Sequence, residues 1–228
     1  MIVQEPPYEL VALFSDLEMQ RLFEAWLERG QETRRRCARE FRWRSLRDPR
    51  RDTVWSQPER ALQPFFQFDC RFLIVWDHHG TGLESTAPAD VEAQVVQRLM
   101  RVNVPAERIL AVALDPELER LLVPVWQRVK ALISGERAME SPEDAAILVK
   151  AKEISKAARS VEDFDHLLAR NPKEAFEALV RLVRLRRAAP LYQKIGGSTS
   201  LPTVKRDETA ARIASILRDW FPRDSEPE

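Results

Sequence analysis

Two short apolar runs, each stopped by an aspartate, constrain the fold of this chain more than any other feature. The first, Phe72 to Trp76, ends in Asp77, His78, His79 and Gly80. The second, Ile109 to Leu114, ends in Asp115 and leads into Pro116, Glu117, Leu118 and Glu119. The first run is too short for a helix with its own caps, and the β-branched Ile74 and Val75 favour the pleated conformation. Runs that are apolar on both faces and alternate with helical stretches belong to parallel sheets covered on both sides. Such sheets gather polar side chains at the carboxyl ends of their strands. Asp77, Glu117 and Glu119 are therefore expected to meet at that edge, with Pro116 at the first position of a helix.

The rest of the chain fits around this pair. A strand is expected over Tyr8–Phe14, then a helix capped by Ser15 or Asp16, with Leu17, Met19, Leu22, Phe23, Trp26 and Leu27 on one face and a stop at Gly30. A half-exposed strand is expected over Glu40–Leu46, a helix from Gln57 to Phe68 weakened by Pro64, and a helix from Ala89 to Val102. This alternation predicts an α/β fold: a mainly parallel sheet of about four strands flanked by helices, over residues 1–134. Beyond it the strand signals stop. Helices are expected over Pro142–Ala158, Val161–Leu168, Pro172–Arg187 and Lys205–Phe221, with Gly196 and Gly197 as a hinge or loop, making a helical C-terminal region over 135–222 and a solvated tail over 223–228.

Net charge predicts no partner, because 36 Lys and Arg balance 36 Asp and Glu. Cys37 and Cys70 form neither a disulfide framework nor a metal motif, as expected of buried thiols in a reducing cytoplasm. No basic leader precedes an apolar core, and no window reaches the roughly 18 apolar residues of a membrane span. A soluble, cytoplasmic protein without a membrane partner is expected.

The carboxylates of Asp77, Glu117 and Glu119 have two readings. They are oxygen ligands of the kind Mg²⁺ accepts, or they are helix N-terminal charges, which the dipole stabilises by roughly 0.3–1 kcal/mol. His78 and His79 are adjacent on an extended chain and point to opposite sides, so they do not share one ion. The segment Arg34, Arg35, Arg36, Arg39, Arg42, Arg44, Arg47, Arg50 and Arg51, with Trp43 among them, is a candidate phosphate-contacting surface; Arg42, Arg44 and Arg47 are its candidate nucleic-acid residues. A solvated face or a protein-binding surface is the competing reading. A second basic group, Arg181, Arg184, Arg186 and Arg187 before Lys194, is expected at a helix C-terminus.

Several short motifs together resemble the Toprim-like proteins of bacterial methylation-associated defence systems. They are Pro6 to Ala12, Leu73 to Asp77 with Gly80 and Gly82, Asp115-Pro-Glu-Leu-Glu119, Asn171 to Ala175, Ala189 to Tyr192 and Leu217 to Pro222. The resemblance covers both ends and most of the α/β part, leaving out Val123 to Leu168. It implies a Toprim-like sheet, a place beside other defence-system proteins and near DNA, and Mg²⁺-dependent phosphoryl transfer or strand cleavage. On that pattern Asp77 matches the first residue of an Asp-x-Asp pair, whereas His79 stands where the second aspartate belongs, and the first strand is followed by Asp16 and Glu18. Asp77, Glu117 and Glu119 are then the candidate catalytic and metal-ligating residues. The alternative is a non-catalytic interaction subunit with a degenerate acidic site.

Overall fold

The computed structural model describes residues 7–32, 38–48, 50, 53–135, 142–201, 204 and 206–223. Within them four strands, β1 (Leu10–Phe14), β2 (Trp43–Arg47), β3 (Arg71–Asp77) and β4 (Ile109–Leu114), form one parallel sheet. Their order is β2-β1-β3-β4. The two apolar runs are the buried β3 and β4; from Phe72 to Trp76 every residue is fully buried, and burying each large apolar side chain stabilises the fold by about 1.5–3 kcal/mol. β1 and β2 begin later than the sequence predicts. At β2 the reason is Phe41, which precedes the strand and stacks on Phe221 with ring centroids 4.1 Å apart.

Alternation along the strands makes two cores. Val11, Leu13, Phe72, Ile74, Trp76, Ala111 and Ala113 face one side. There they meet α2 (Thr53–Ser56), α3 (Pro58–Leu62) and α4 (Pro88–Met100). The helix expected over 57–68 is α3 followed by a 3-10 turn, Gln63–Phe65, because Pro64 cannot donate to an α-helical ladder. Leu10, Ala12, Phe14, Leu73, Val75, Leu110 and Val112 face the other side, against α1 (Leu17–Glu32). α5 (Trp126–Ser134), α6 (Asp144–Ile154), α7 (Phe164–Arg170), α8 (Pro172–Leu182), α9 (Ala189–Ser198) and α10 (Glu208–Trp220) complete this layer. The C-terminal helices therefore share a core with the sheet.

Three local expectations are corrected. α1 runs through Gly30 to Glu32; a glycine inside a helix costs about 1 kcal/mol, a cost that burial of Met19, Leu22, Phe23 and Trp26 offsets. Pro116 does not begin a helix, since Glu117 is extended (φ −156°, ψ 172°) and helical geometry starts at Leu118, as a 3-10 stretch to Val125. Gly196 and Gly197 are not a hinge but lie inside α9. A Cβ on Gly196 would sit 2.7 Å from both the Ala25 Cβ and the Leu22 carbonyl oxygen, so glycine is what lets α9 press against α1.

The two sheet edges are treated differently. Along β4 the residues whose backbone groups face outward are Ile109, Ala111 and Ala113. The Ala113 N–H donates to Glu92 Oε1 (2.9 Å), and Arg212 Nη2 donates to the Ala111 carbonyl (3.3 Å). Glu92 and Arg212 are themselves paired at 2.7 Å, so this pair occupies the place of a fifth strand. No helix among the described residues is long and apolar enough to cross a membrane. Arg34, Arg35, Arg36, Cys37, Arg51 and the tail from 224 lie outside the described residues, while Cys70 is buried as expected.

Candidate functional site

Chain order reverses between β1 and β3: the connection from β1 leads outward to β2, and β3 then starts the other half of the sheet. In open α/β sheets the crevice at such a reversal, outside the carboxyl ends of the strands, is where ligands bind. Asp16 follows β1 at this point and Asp77 ends β3. Asp16 Oδ1 accepts from the Met19 N–H (2.8 Å) and so caps α1. Asp77 Oδ1 accepts from the Leu118 N–H (2.8 Å), tying β3 to the 3-10 stretch after β4.

Sequence reasoning expected Asp77, Glu117 and Glu119 to converge, and they are close enough for both glutamates to act on the Asp77 carboxyl. Their partners differ. Glu117 Oε1 accepts from Lys173 Nζ at 2.8 Å, with His79 Nδ1 at 3.5 Å. Glu119 is 1% exposed; its Oε1 accepts from the Tyr192 hydroxyl and lies 2.9 Å from Arg187 Nη2, while its Oε2 has no partner. Burial pushes the Glu119 carboxyl up, and Arg187 and Tyr192 pull it back. Asp77 pairs with no cation among the described residues, and burial, reinforced by Asp16, Glu119 and Glu117, holds its pKa well above the carboxylate range.

Arg187 is the centre of this edge. Besides Glu119 it reaches Glu177 through Nη1 (3.0 Å), Glu18 through Nη2 (3.3 Å) and the Tyr192 hydroxyl through Nε (2.9 Å). One side chain thus joins α1, the 3-10 stretch, α8 and α9. Lys173, at the start of α8, adds a second tie through Glu117. Sequence reasoning had placed Arg187 in a helix-terminal basic group, but α8 ends at Leu182 and Arg187 lies in the connection to α9. Among the described residues, no group of three or more His, Cys, Asp or Glu side chains could hold a metal ion. Of the expected ligand set of Asp77, Glu117 and Glu119, the two glutamates are held in ion pairs with Lys173 and Arg187.

The histidines lie in the turn that follows β3 and take different environments. His78 is 4% exposed with Nδ1 unpartnered, and His79 points outward. Gly80 and Gly82 have positive φ (87° and 76°), and both N–H groups donate to Glu84 Oε1, which shapes the loop after β3.

Arg42, Arg44 and Arg47 are all exposed. Alternation puts Arg42 and Arg44 on one face of β2 and Arg47 on the other, so they do not form one continuous patch. Arg44 donates to the Tyr8 hydroxyl (3.1 Å) and stacks over its ring.

No family model, no curated protein and no solved structure matches this chain. The resemblance to Toprim-like defence proteins therefore rests on its short motifs.

The unneutralised Asp77 carboxyl makes a prediction with a definite sign. Its folded pKa is raised, so the native state binds its proton more tightly than the unfolded chain, and its contribution is fully present below the ordinary value of 3.8. That contribution is lost as pH rises toward the folded pKa. Asp77→Asn keeps the acceptor for Leu118 and removes the charge. The variant is expected to melt with the wild type at pH 3 and above it at pH 8, in thermal scans across that range; a wild type more stable than the variant at pH 8 contradicts the assignment.

Proposed function

We propose that this chain is an accessory, non-catalytic interaction subunit of a bacterial anti-phage system of the methylation-associated kind, whose Toprim-like acidic edge now works as a structural junction. The observation that carries the junction is the pairing of Glu119 with Arg187 and of Glu117 with Lys173. Two-metal phosphoryl transfer needs several free oxygen ligands around ions about 3.5–4 Å apart, and the cations from the helical layer take that role away from both glutamates. His79 at the position of the second Toprim aspartate points the same way. The defence setting comes from the motif resemblance.

A second reading, Mg²⁺-dependent nucleic-acid cleavage, is favoured by one observation. Asp16 and Asp77 stand together at the strand-order reversal, and Asp77 keeps a buried carboxyl without a cation; carboxyls perturbed in this way cluster at functional sites. Single- and double-stranded DNA and RNA incubated with the protein and millimolar Mg²⁺ distinguish the two. The interaction-subunit reading expects no cleavage above background and no difference between wild type and Asp77→Ala. Metal-dependent cleavage that disappears in Asp77→Ala would establish the second reading.

A further inference from the structure

At the sheet edge opposite β4, the ladder to β1 fixes which backbone groups of β2 look outward. The Arg42 carbonyl accepts from the Leu10 N–H (3.1 Å), and the Asp48 N–H donates to the Phe14 carbonyl (3.2 Å). In a parallel pair, alternate residues bond to the same neighbour. The even-numbered residues 42 to 48 therefore face β1, and Trp43, Ser45 and Arg47 direct both N–H and carbonyl away from the sheet. Among the described residues nothing bonds to those outward groups, whereas on β4 the Ala113 N–H and the Ala111 carbonyl are taken by Glu92 and Arg212. An edge with unpaired N–H and carbonyl groups is a template for pairing with another chain.

We infer that the open edge of β2 is a docking strand for an acidic, extended segment of a partner protein, which adds to the sheet as a fifth strand. Main-chain bonds to Trp43, Ser45 and Arg47 would hold it, as in other strand-addition complexes. Its acidic character follows from the flanking charge. Arg44 and Arg47 are exposed on the two faces of the strand, and neither pairs with a carboxylate among the described residues. Opposite charges directly across two strands attract and like charges repel, so a second copy of β2 is a poor occupant. A groove of about 540 Å³ at the start of the strand has apolar walls from Pro7, Tyr8, Phe41 and Trp43 and charged walls from Glu9, Glu40 and Arg42. The inference rests on reading the chain as an interaction subunit but not on the state of Asp77, so metal-binding and cleavage results leave it untouched.

The test uses the full chain and two synthetic peptides, one alternating Glu and Val and one alternating Lys and Val, with single-stranded DNA as a third probe. By fluorescence anisotropy the wild type binds the Glu peptide and binds the Lys peptide roughly tenfold or more weakly. Arg44→Glu combined with Arg47→Glu, both at exposed sites, inverts that preference. In hydrogen exchange followed by NMR, the Trp43, Ser45 and Arg47 amides exchange fast in the free protein and become protected with the Glu peptide, while the Arg44 and Leu46 amides are protected in both states. Failure of the Glu peptide to bind at millimolar concentration, or binding without the alternate protection, overturns the inference. Tighter binding of DNA than of the Glu peptide, lost in the double variant, makes the strand a nucleic-acid surface instead. Concentration-dependent dimerisation that protects the same amides without peptide makes the occupant a second copy.

Discussion

Replacing Arg187 with alanine is expected to lower the unfolding free energy by about 3–5 kcal/mol, the usual cost of removing one partner from a buried ion pair. The magnitude follows from Glu119, which is 1% exposed and would keep a carboxylate in the core without a cation. The same substitution frees Glu18 and Glu177 and removes the guanidinium that faces the Tyr192 hydroxyl, so α1, α8 and α9 lose a common anchor. Arg187→Lys should recover only part of the loss, because an ammonium cannot present the planar fork that reaches several acceptors at once. Urea denaturation of the three proteins measures the effect as a shift of midpoint at constant slope. A loss below about 1 kcal/mol for the alanine variant, the range of exposed surface pairs, would show that the edge is not braced in this way.

Gly196→Ala is expected to cost about 1–3 kcal/mol, the typical price of forcing extra volume into a packed interior. The new Cβ would lie 2.7 Å from the Leu22 carbonyl oxygen, and backbone does not swing aside as a side-chain end does. Gly197→Ala supplies the control, since a Cβ there meets nothing within 4 Å. In that helix interior, alanine should stabilise by up to about 1 kcal/mol through helix propensity. Opposite signs for neighbouring glycines, read from paired denaturation curves, would be hard to obtain from anything but the α1–α9 contact. Equal effects would contradict it.

These glycines also mark the limit of what the chain's local pattern reveals. β3 and β4 were legible because a run apolar on both faces has few uses outside a covered parallel sheet, and β4 has the bounds that its run predicts. α1 was legible from the period of Met19, Leu22, Phe23 and Trp26. α9 was not, because two consecutive glycines are locally a break, and only the approach of a distant helix makes them preferable to alanine. The convergence of Asp77 with Glu117 and Glu119 followed from their places at strand ends. Their neutralisation did not, since Lys173 in α8 and Arg187 in the connection to α9 come more than fifty residues later in the chain. Arg187 sits among Arg184 and Arg186, which are exposed; nothing in a basic run shows which member turns inward. Asp16 was visible as a helix cap but not as the neighbour of Asp77, because strand order, and with it the point of reversal, is a property of the assembled sheet.

On the proposed reading the carboxyl edge joins the helical layer to the sheet and is not a metal centre. Titration of the wild-type protein with Mg²⁺ in a calorimeter, alongside Asp77→Asn and with NaCl matched for ionic strength, tests this most directly. The predicted result is no saturable heat at millimolar Mg²⁺ in either protein, and no rise in melting temperature beyond that produced by NaCl. A saturable Mg²⁺ isotherm in the wild type that Asp77→Asn abolishes, with a matching metal-dependent gain in stability, would contradict it.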